Sequence, residues 1–327
     1  MMQQRAVRLV VAAVVLTLAM VGAAQASLLD REEAPHWTPE SVRAALDAGA
    51  DVNAHGTHGY GMTPLMIAAA DNQNPAVLQV LLDAGADLEA RTMTGRAPLM
   101  FAATSNENPA VVQVLIDAGA SLEARDEAGW APLMLPAALN ENPAVARVLI
   151  DAGADLEART LLGVTALMSA AAFNANPAVV RVLLDAGADL EARDMYGQTP
   201  LMHAAGDNAN PDAVWVVLDA GADLQARDEH GGTPLMRAAG LNENPAVVRL
   251  LIDAGADLDA RDEFGRTPLM RAAARNENPA VVQVLLDAGA DGAARDERGR
   301  TAFDHARDNE ALRGSDAYWR LNDARFQ

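Results

Sequence analysis

The sequence predicts an all-α repeat protein, a solenoid of helix-turn-helix units joined by β-hairpin-like loops. Two observations carry that class. A Leu-Met block recurs every 34 residues at Thr63-Pro-Leu-Met, Ala97-Pro-Leu-Met, Ala131-Pro-Leu-Met, Thr165-Ala-Leu-Met, Thr199-Pro-Leu-Met, Thr233-Pro-Leu-Met and Thr267-Pro-Leu-Met. A degenerate copy, Thr301-Ala-Phe-Asp, follows in register. A fixed period of this size marks a stack in which each unit buries its apolar face only against its neighbours. Within each period, two stretches of helical spacing, opened by proline except at Ala166, are followed by a polar stretch that turns at glycine.

Taken in order, residues 1–26 read as a signal peptide. Arg5 and Arg8 give a positive start, Leu9 to Val21 is apolar except for Thr17, and Ala24-Gln25-Ala26 supplies the small-x-small cleavage pattern. The apolar run falls short of the ~20 residues needed to span a bilayer. The expectation is cleavage near Ala26, a chain beginning at Ser27, and a periplasmic or secreted location. The alternative is an uncleaved signal that tethers the repeats to the membrane. Residues 27–62 read as an N-terminal half-repeat cap, because Trp37-Thr-Pro-Glu-Ser-Val-Arg-Ala-Ala-Leu-Asp-Ala-Gly-Ala-Asp matches only the second helix of a unit. The hairpin after it, His55 to Met62, is two residues longer than later ones.

Residues 63–300 form seven repeats of 34 residues, typified by Thr267 to Arg300. Thr267 caps a helix opened by Pro268, where the missing proline N–H costs nothing. Leu269, Met270, Ala272 and Ala273 share one face. Asn278-Pro279 repeats the cap-then-proline device, and Val281, Val282, Leu285 and Leu286 point inward along the second helix. Ala288-Gly289 ends that helix, glycine suiting the left-handed closing residue. Residues 290–300 are polar and turn at Arg298-Gly299. Residues 301–327 read as a C-terminal cap in which Tyr318, Trp319, Leu321 and Phe326 cover the last repeat. Terminal units of a stack are expected to be atypical.

Thr-Pro-Leu, the Ala-Ala pair, Val-Val-x-x-Leu-Leu and Ala-Gly-Ala-Asp together resemble the ankyrin repeat, over residues 37 to about 320. The resemblance implies a curved ankyrin solenoid, of a bacterial secreted type with 34-residue Asn-x-Asn-Pro repeats. Two departures stand out. The usual period is about 33, and the extra residue here falls between the helices in Asn-x-Asn-Pro, from Asn72 to Pro75 through Asn276 to Pro279. Methionine also stands after Thr-Pro-Leu in all seven units, Met66 to Met270, where the family often has histidine.

Composition narrows the function. The net charge of −20 disfavours nucleic acid, which is bound by neutralising phosphates. There is no cysteine, hence no disulfide, thiolate metal site or cysteine nucleophile, and all 25 basic residues are arginine. One methionine per repeat reads as core packing rather than a copper path. His36, His55 and His58 read as surface loop residues rather than a metal site. The arginines at 91, 125, 159, 193, 227, 261 and 295 read as a ladder of exposed ion pairs. Pro136 replaces an alanine inside a first helix, where it is expected to remove a backbone bond and distort the turn. No grouping suggests catalysis, a cofactor, a metal or a small-molecule substrate.

The repeats can also be compared with one another. Fixed positions serve stacking; variable ones are free for another purpose. The variable ones are the residue after Leu-Met, the end of the first helix and the hairpin tip, which the resemblance places on one concave face. The expected partner-binding residues there are Ile67, Met93, Phe101, Trp130, Leu135, Leu162, Phe173, Tyr196, His203, Arg237, Phe264, Arg271 and Arg275, apolar first and arginine-rich later. Exposed aromatic and arginine side chains are the types enriched in binding hot spots. The function expected is an exported scaffold, monomeric alone, that holds an unidentified protein partner non-covalently. The alternatives are a stoichiometric stabiliser or inhibitor of one periplasmic enzyme, and a secreted host-directed effector.

Overall fold

The computed structural model describes residues 19–56 and 61–326. Arg5, Arg8, most of the apolar run and His58 lie outside the described residues. First helices span Pro64–Asp71, Pro98–Ser105, Met134–Leu139, Ala166–Phe173, Pro200–Asp207, Pro234–Leu241 and Pro268–Arg275. Second helices span Pro75–Asp83, Pro109–Asp117, Pro143–Asp151, Pro177–Asp185, Pro211–Asp219, Pro245–Asp253 and Pro279–Asp287. No strand occurs among the described residues; the connecting hairpins are built from turns. The repeat and all-helical expectations hold.

Local chemistry explains each boundary. Thr63, Thr165, Thr199, Thr233 and Thr267 accept a bond from the backbone three residues on, capping the first helices. Leu65, Met66, Ala68 and Ala69, and their equivalents in each unit, are buried, so the methionine column is core. Pro136 acts through the helix start. That helix begins at Met134, two residues later than its neighbours, which places Pro136 among the first-turn residues whose N–H lacks an intrahelical acceptor in any case.

The chain divides into two compact units, Met1–Pro136 with Ala144–Asp155, and Ala137–Pro143 with Leu156–Gln327. Each is laced by asparagine. In the first unit, Asn106 Nδ2 donates to the carbonyls of Ala69 (3.0 Å) and Asn72 (2.8 Å), and Asn72 Nδ2 to those of Ala34 (2.7 Å) and Trp37 (3.0 Å). In the second, Asn242 Nδ2 donates to Ala205 (3.0 Å) and Asn208 (2.7 Å), and Asn276 repeats this on Ala239 and Asn242. These asparagines are almost fully buried. Their Oδ1 accepts from the N–H of the second asparagine two residues on, as Asn242 Oδ1 does from Asn244 N (2.9 Å). Asn244 then caps the second helix through Ala246 N, while its Nδ2 reaches back to the Ala209 carbonyl. The extra residue of the 34-residue period therefore serves a two-asparagine clamp on the preceding unit.

The arginine column differs from the expected ion-pair ladder. Arg193 Nη1 donates to the carbonyls of Gly197 (2.8 Å) in its own hairpin and Arg227 (2.7 Å) in the next. Arg227 and Arg261 do the same in the second unit, as does Arg91 in the first. Carboxylates approach only as a minor addition, Glu89 at 3.7 Å from Arg91 and Glu123 at 3.6 Å from Arg125. The carbonyls left between hairpins need donors, and one Nη1 nitrogen, with its two N–H groups, serves two of them.

The two ends are finished differently. Residues 19–29 are helical, with Leu28 buried, and Gln25 bonds both backbone groups of Asp51. Cleavage after Ala26 would remove those two bonds and keep Leu28. At the other end, helix Asp316–Ala324 packs on Pro279–Asp287 and on Ala302–Ala306, with Ala317 and Leu321 fully buried. Gly292 makes this possible. Every earlier full unit has leucine there, Leu88 through Leu258, but a Cβ on Gly292 would lie 2.4 Å from Ala324 Cβ.

Two stability outcomes follow. Asn242→Ala leaves the Ala205 and Asn208 carbonyls and the Asn244 N–H without their partner. At about 1–3 kcal/mol per stranded buried group, partly relaxed, a loss of about 3 kcal/mol is expected in urea unfolding. Loss below about 0.5 kcal/mol, the scale of a neutral surface change, would show the clamp to be dispensable. Gly292→Leu restores the repeat consensus yet should destabilise the chain by displacing helix Asp316–Ala324. Hydrogen exchange confined to that helix reports it, and unchanged protection there would refute the steric account.

Candidate binding surface

Within each compact unit the hairpin tips form a regular exposed column. Successive tips are tied through their backbones. Glu127 N donates to the Thr94 carbonyl in the first unit; in the second, Met195, Glu229, Glu263 and Glu297 donate to Leu162, Tyr196, His230 and Phe264, at 2.9–3.1 Å. Gly197 shows how close the approach is: its φ is +73°, and a Cβ there would sit 3.0 Å from Glu229 N. The backbone is thus fixed while the side chains stay free to differ.

In the first unit, Met93 is 78% exposed at a tip. Phe101 is half-buried and lines a cleft of about 660 Å³ with Arg31, Met62, Thr104, Asp126 and Glu127. Trp130 is half-buried against Ala97, Met100, Ala124 and Leu135, so its ring is largely a packing element. Two expected contact residues are not available. Ile67 is 3% exposed and Leu135 1%, because the position after Leu-Met is recessed beneath the hairpin and an aliphatic side chain there joins the core.

In the second unit, Leu162, Phe173, Tyr196 and Phe264 stand exposed, and so does Arg275. Leu139, Leu161, Met195 and Leu241 add to this apolar surface. The recessed position is again occupied otherwise than expected. His203 Nε2 lies 3.1 Å from buried Asp194 Oδ2, and its Nδ1 lies 3.7 Å from Asp207. Arg237 Nη2 reaches the same Asp207 at 3.4 Å. Arg271 Nη2 lies 2.8 Å from Asp262 Oδ2, whose side chain is wholly buried. Arg237 is therefore tied to the end of the preceding first helix, whereas His203 and Arg271 are mostly buried tethers that hold the hairpin to the helix. The sequence signal that finds them is a column of acids nine residues upstream: Asp194, Asp262 and Asp296 for His203, Arg271 and His305.

Burial disfavours the charged His203 ring, but the hydrogen bond to Asp194 and the nearby Asp207 outweigh it and hold its pKa above the ordinary value. Burial likewise pushes Asp194 up, and the His203 bond with the backbone N–H groups of Gln198 and Tyr196 brings it below the usual carboxylate range. On a second helix, Trp215 is 49% exposed, with Arg181 6.0 Å from its ring centre, and Arg181 pairs with Asp219 at 3.1 Å. His55 Nδ1 lies 2.8 Å from the Gly61 carbonyl oxygen.

The sequence model of a family described as ankyrin repeats, in three copies, matches residues 34–126, 65–160, 99–194, 133–228, 171–262 and 235–314. None of the curated proteins matches the chain.

The His203 tether gives a pH dependence. Its folded pKa lies above the unfolded value of about 6.5, so its stabilisation is complete below that pH and is lost as pH rises through the folded value. The stability gap between the wild-type chain and His203→Ala should be widest near about pH 6 and narrow as the solution becomes alkaline. A gap that stays constant in urea unfolding across that range would mean the ring is not held by charge.

Proposed function

The chain belongs to the ankyrin-repeat family, whose members generally serve as protein–protein interaction scaffolds, and from that premise we propose that it is a non-catalytic scaffold binding a protein partner through its first-helix and hairpin-tip surface. One observation supports this reading above others. Tip backbones are pinned from repeat to repeat, while the side chains they carry change from Leu162 to Tyr196 to Phe264 and stay exposed. A rigid edge that presents variable, solvent-facing aromatic and aliphatic groups keeps the entropic cost of binding low. The contact set is Met93, Phe101, Leu162, Phe173, Tyr196, Phe264 and Arg275; Ile67, Leu135, His203, Arg237 and Arg271 serve the fold instead. The charged start, short apolar run and Ala24-Gln25-Ala26 support export, with work done outside the cytoplasm.

Crosslinking in the native cell, followed by mass spectrometry, tests both parts. The recovered chain should begin at Ser27 and carry a partner. Phe173→Ala with Tyr196→Ala should weaken that partner at least tenfold, in line with about 2 kcal/mol or more for a buried aromatic anchor. Gln113→Ala with Arg249→Ala, on exposed positions of second helices, should leave affinity within a factor of about two. The opposite ranking would move the binding surface to the second helices.

A further inference from the structure

The last repeats carry cations that the fold does not use. Asp262 Oδ2 accepts from Arg266 Nε (2.8 Å), Arg271 Nε (3.0 Å) and Arg271 Nη2 (2.8 Å), so one carboxylate serves two guanidiniums. Asp296 Oδ2 is taken by Arg300 Nε (3.1 Å) and His305 Nε2 (3.0 Å). Burial and the neighbouring Arg300 hold His305 below its ordinary pKa, so it brings no charge near neutrality. Glu263 is turned to His230 at 2.7 Å. That leaves Arg275 and Arg298, both exposed, with no side-chain bond among the described residues. Arg298 lines a cleft of about 350 Å³ between two hairpins, with Phe264, Arg266, Asp296, Glu297 and Arg300. Arg275 lies one helical turn beyond Arg271 on the first helix. Along this strip five guanidiniums meet four carboxylates, Asp262, Glu263, Asp296 and Glu297, on a chain whose net charge is −20.

A positive patch maintained against so strong an opposite field has a physical consequence. It attracts a local anion, while the rest of the surface repels any long polyanion. Nucleic acid fits poorly for that reason. A free inorganic anion would leave Phe264 unused, whose exposed ring has the Arg266 guanidinium 4.6 Å from its centre. We propose that this strip is the acid-reading end of the binding surface: Arg298 and Arg275 take carboxylate side chains of an acidic segment of the partner protein, and Phe264 takes an apolar side chain beside them. The inference rests on the reading that this surface meets a partner, and it adds what that partner must display. Arginine suits the task because its fork bonds a carboxylate with two parallel N–H groups.

The probe is a short fluorescent peptide of alternating Glu and Phe, with the Gln-for-Glu peptide as its neutral twin, titrated against the full chain by anisotropy. The Glu peptide should bind, weaken as salt rises, and lose at least tenfold in Arg275→Glu with Arg298→Glu. Neither side chain supports the fold, and circular dichroism should show the variant unchanged. Several results would overturn the proposal: equal binding of the Glu and Gln peptides, no binding at all, no effect of the charge reversal, or displacement by inorganic phosphate at equal concentration. A wild-type dimer in sedimentation that Arg298→Glu dissociates would show that the strip takes a second copy of this chain instead, and would also overturn it. A crosslinked partner lost on Phe173→Ala with Tyr196→Ala, yet indifferent to the arginine reversal, would sink this inference and leave the scaffold reading standing.

Discussion

The structure depends on a buried side-chain amide. In each unit, an asparagine between the two helices of a repeat places its Nδ2 between two carbonyls of the repeat before it and its Oδ1 over the N–H that starts its own second helix. Every polar atom of the amide is used, and the alternative, a carbonyl stranded in an apolar seam, is costly. The requirement is geometric as well as energetic. The donor arrives at the same place in every repeat, and it does so even at the ends, where Asn309 follows Asn276 by 33 residues rather than 34 and still reaches the Ala273 and Asn276 carbonyls. Apolar packing alone, carried here by Leu, Val, Met and Ala, would tolerate drift.

The hairpins are governed by the same logic with different groups. Arginine guanidiniums join the carbonyls of neighbouring hairpins, and acids such as Glu157 and Glu191 accept the N–H of Asp189 and Asp223 in the following repeat. The position after Leu-Met is filled by an apolar side chain, as at Ile67, by a hydroxyl bonded to the backbone, as at Ser169, or by a cation paired with an acid, as at Arg271. The groups left exposed are the ones the lattice of backbone bonds lifts clear of the surface. Their chemistry changes along the repeats while their spacing does not.

Much of this was legible in the sequence. Strict recurrence made the helices, their caps and the buried methionines plain from residue types alone, because each unit repeats the same solution to the same packing problem. The binding surface was less legible. Variability among repeats was read as exposure, yet Ile67 and Leu135 vary in a slot that is simply recessed, and burial depends on the height of the overlying hairpin. The arginine column was read as ion pairs because Glu stands two residues before it; the true acceptors are backbone carbonyls, which carry no letter in a sequence. His203 and Arg271 could have been recognised, since both have an acid nine residues upstream.

Gly292 also bears on how long such a chain can be. Each internal repeat offers its successor the same set of carbonyls and N–H groups, so duplicating a unit in register creates no interface that is not already present. Left to that rule, an array has no preferred length. Removing one leucine side chain at Gly292 opens a notch that admits Ala324. The change from internal repeat to closing helix is thus written as missing atoms, and copies inserted in register upstream of Gly292 leave that closing contact intact.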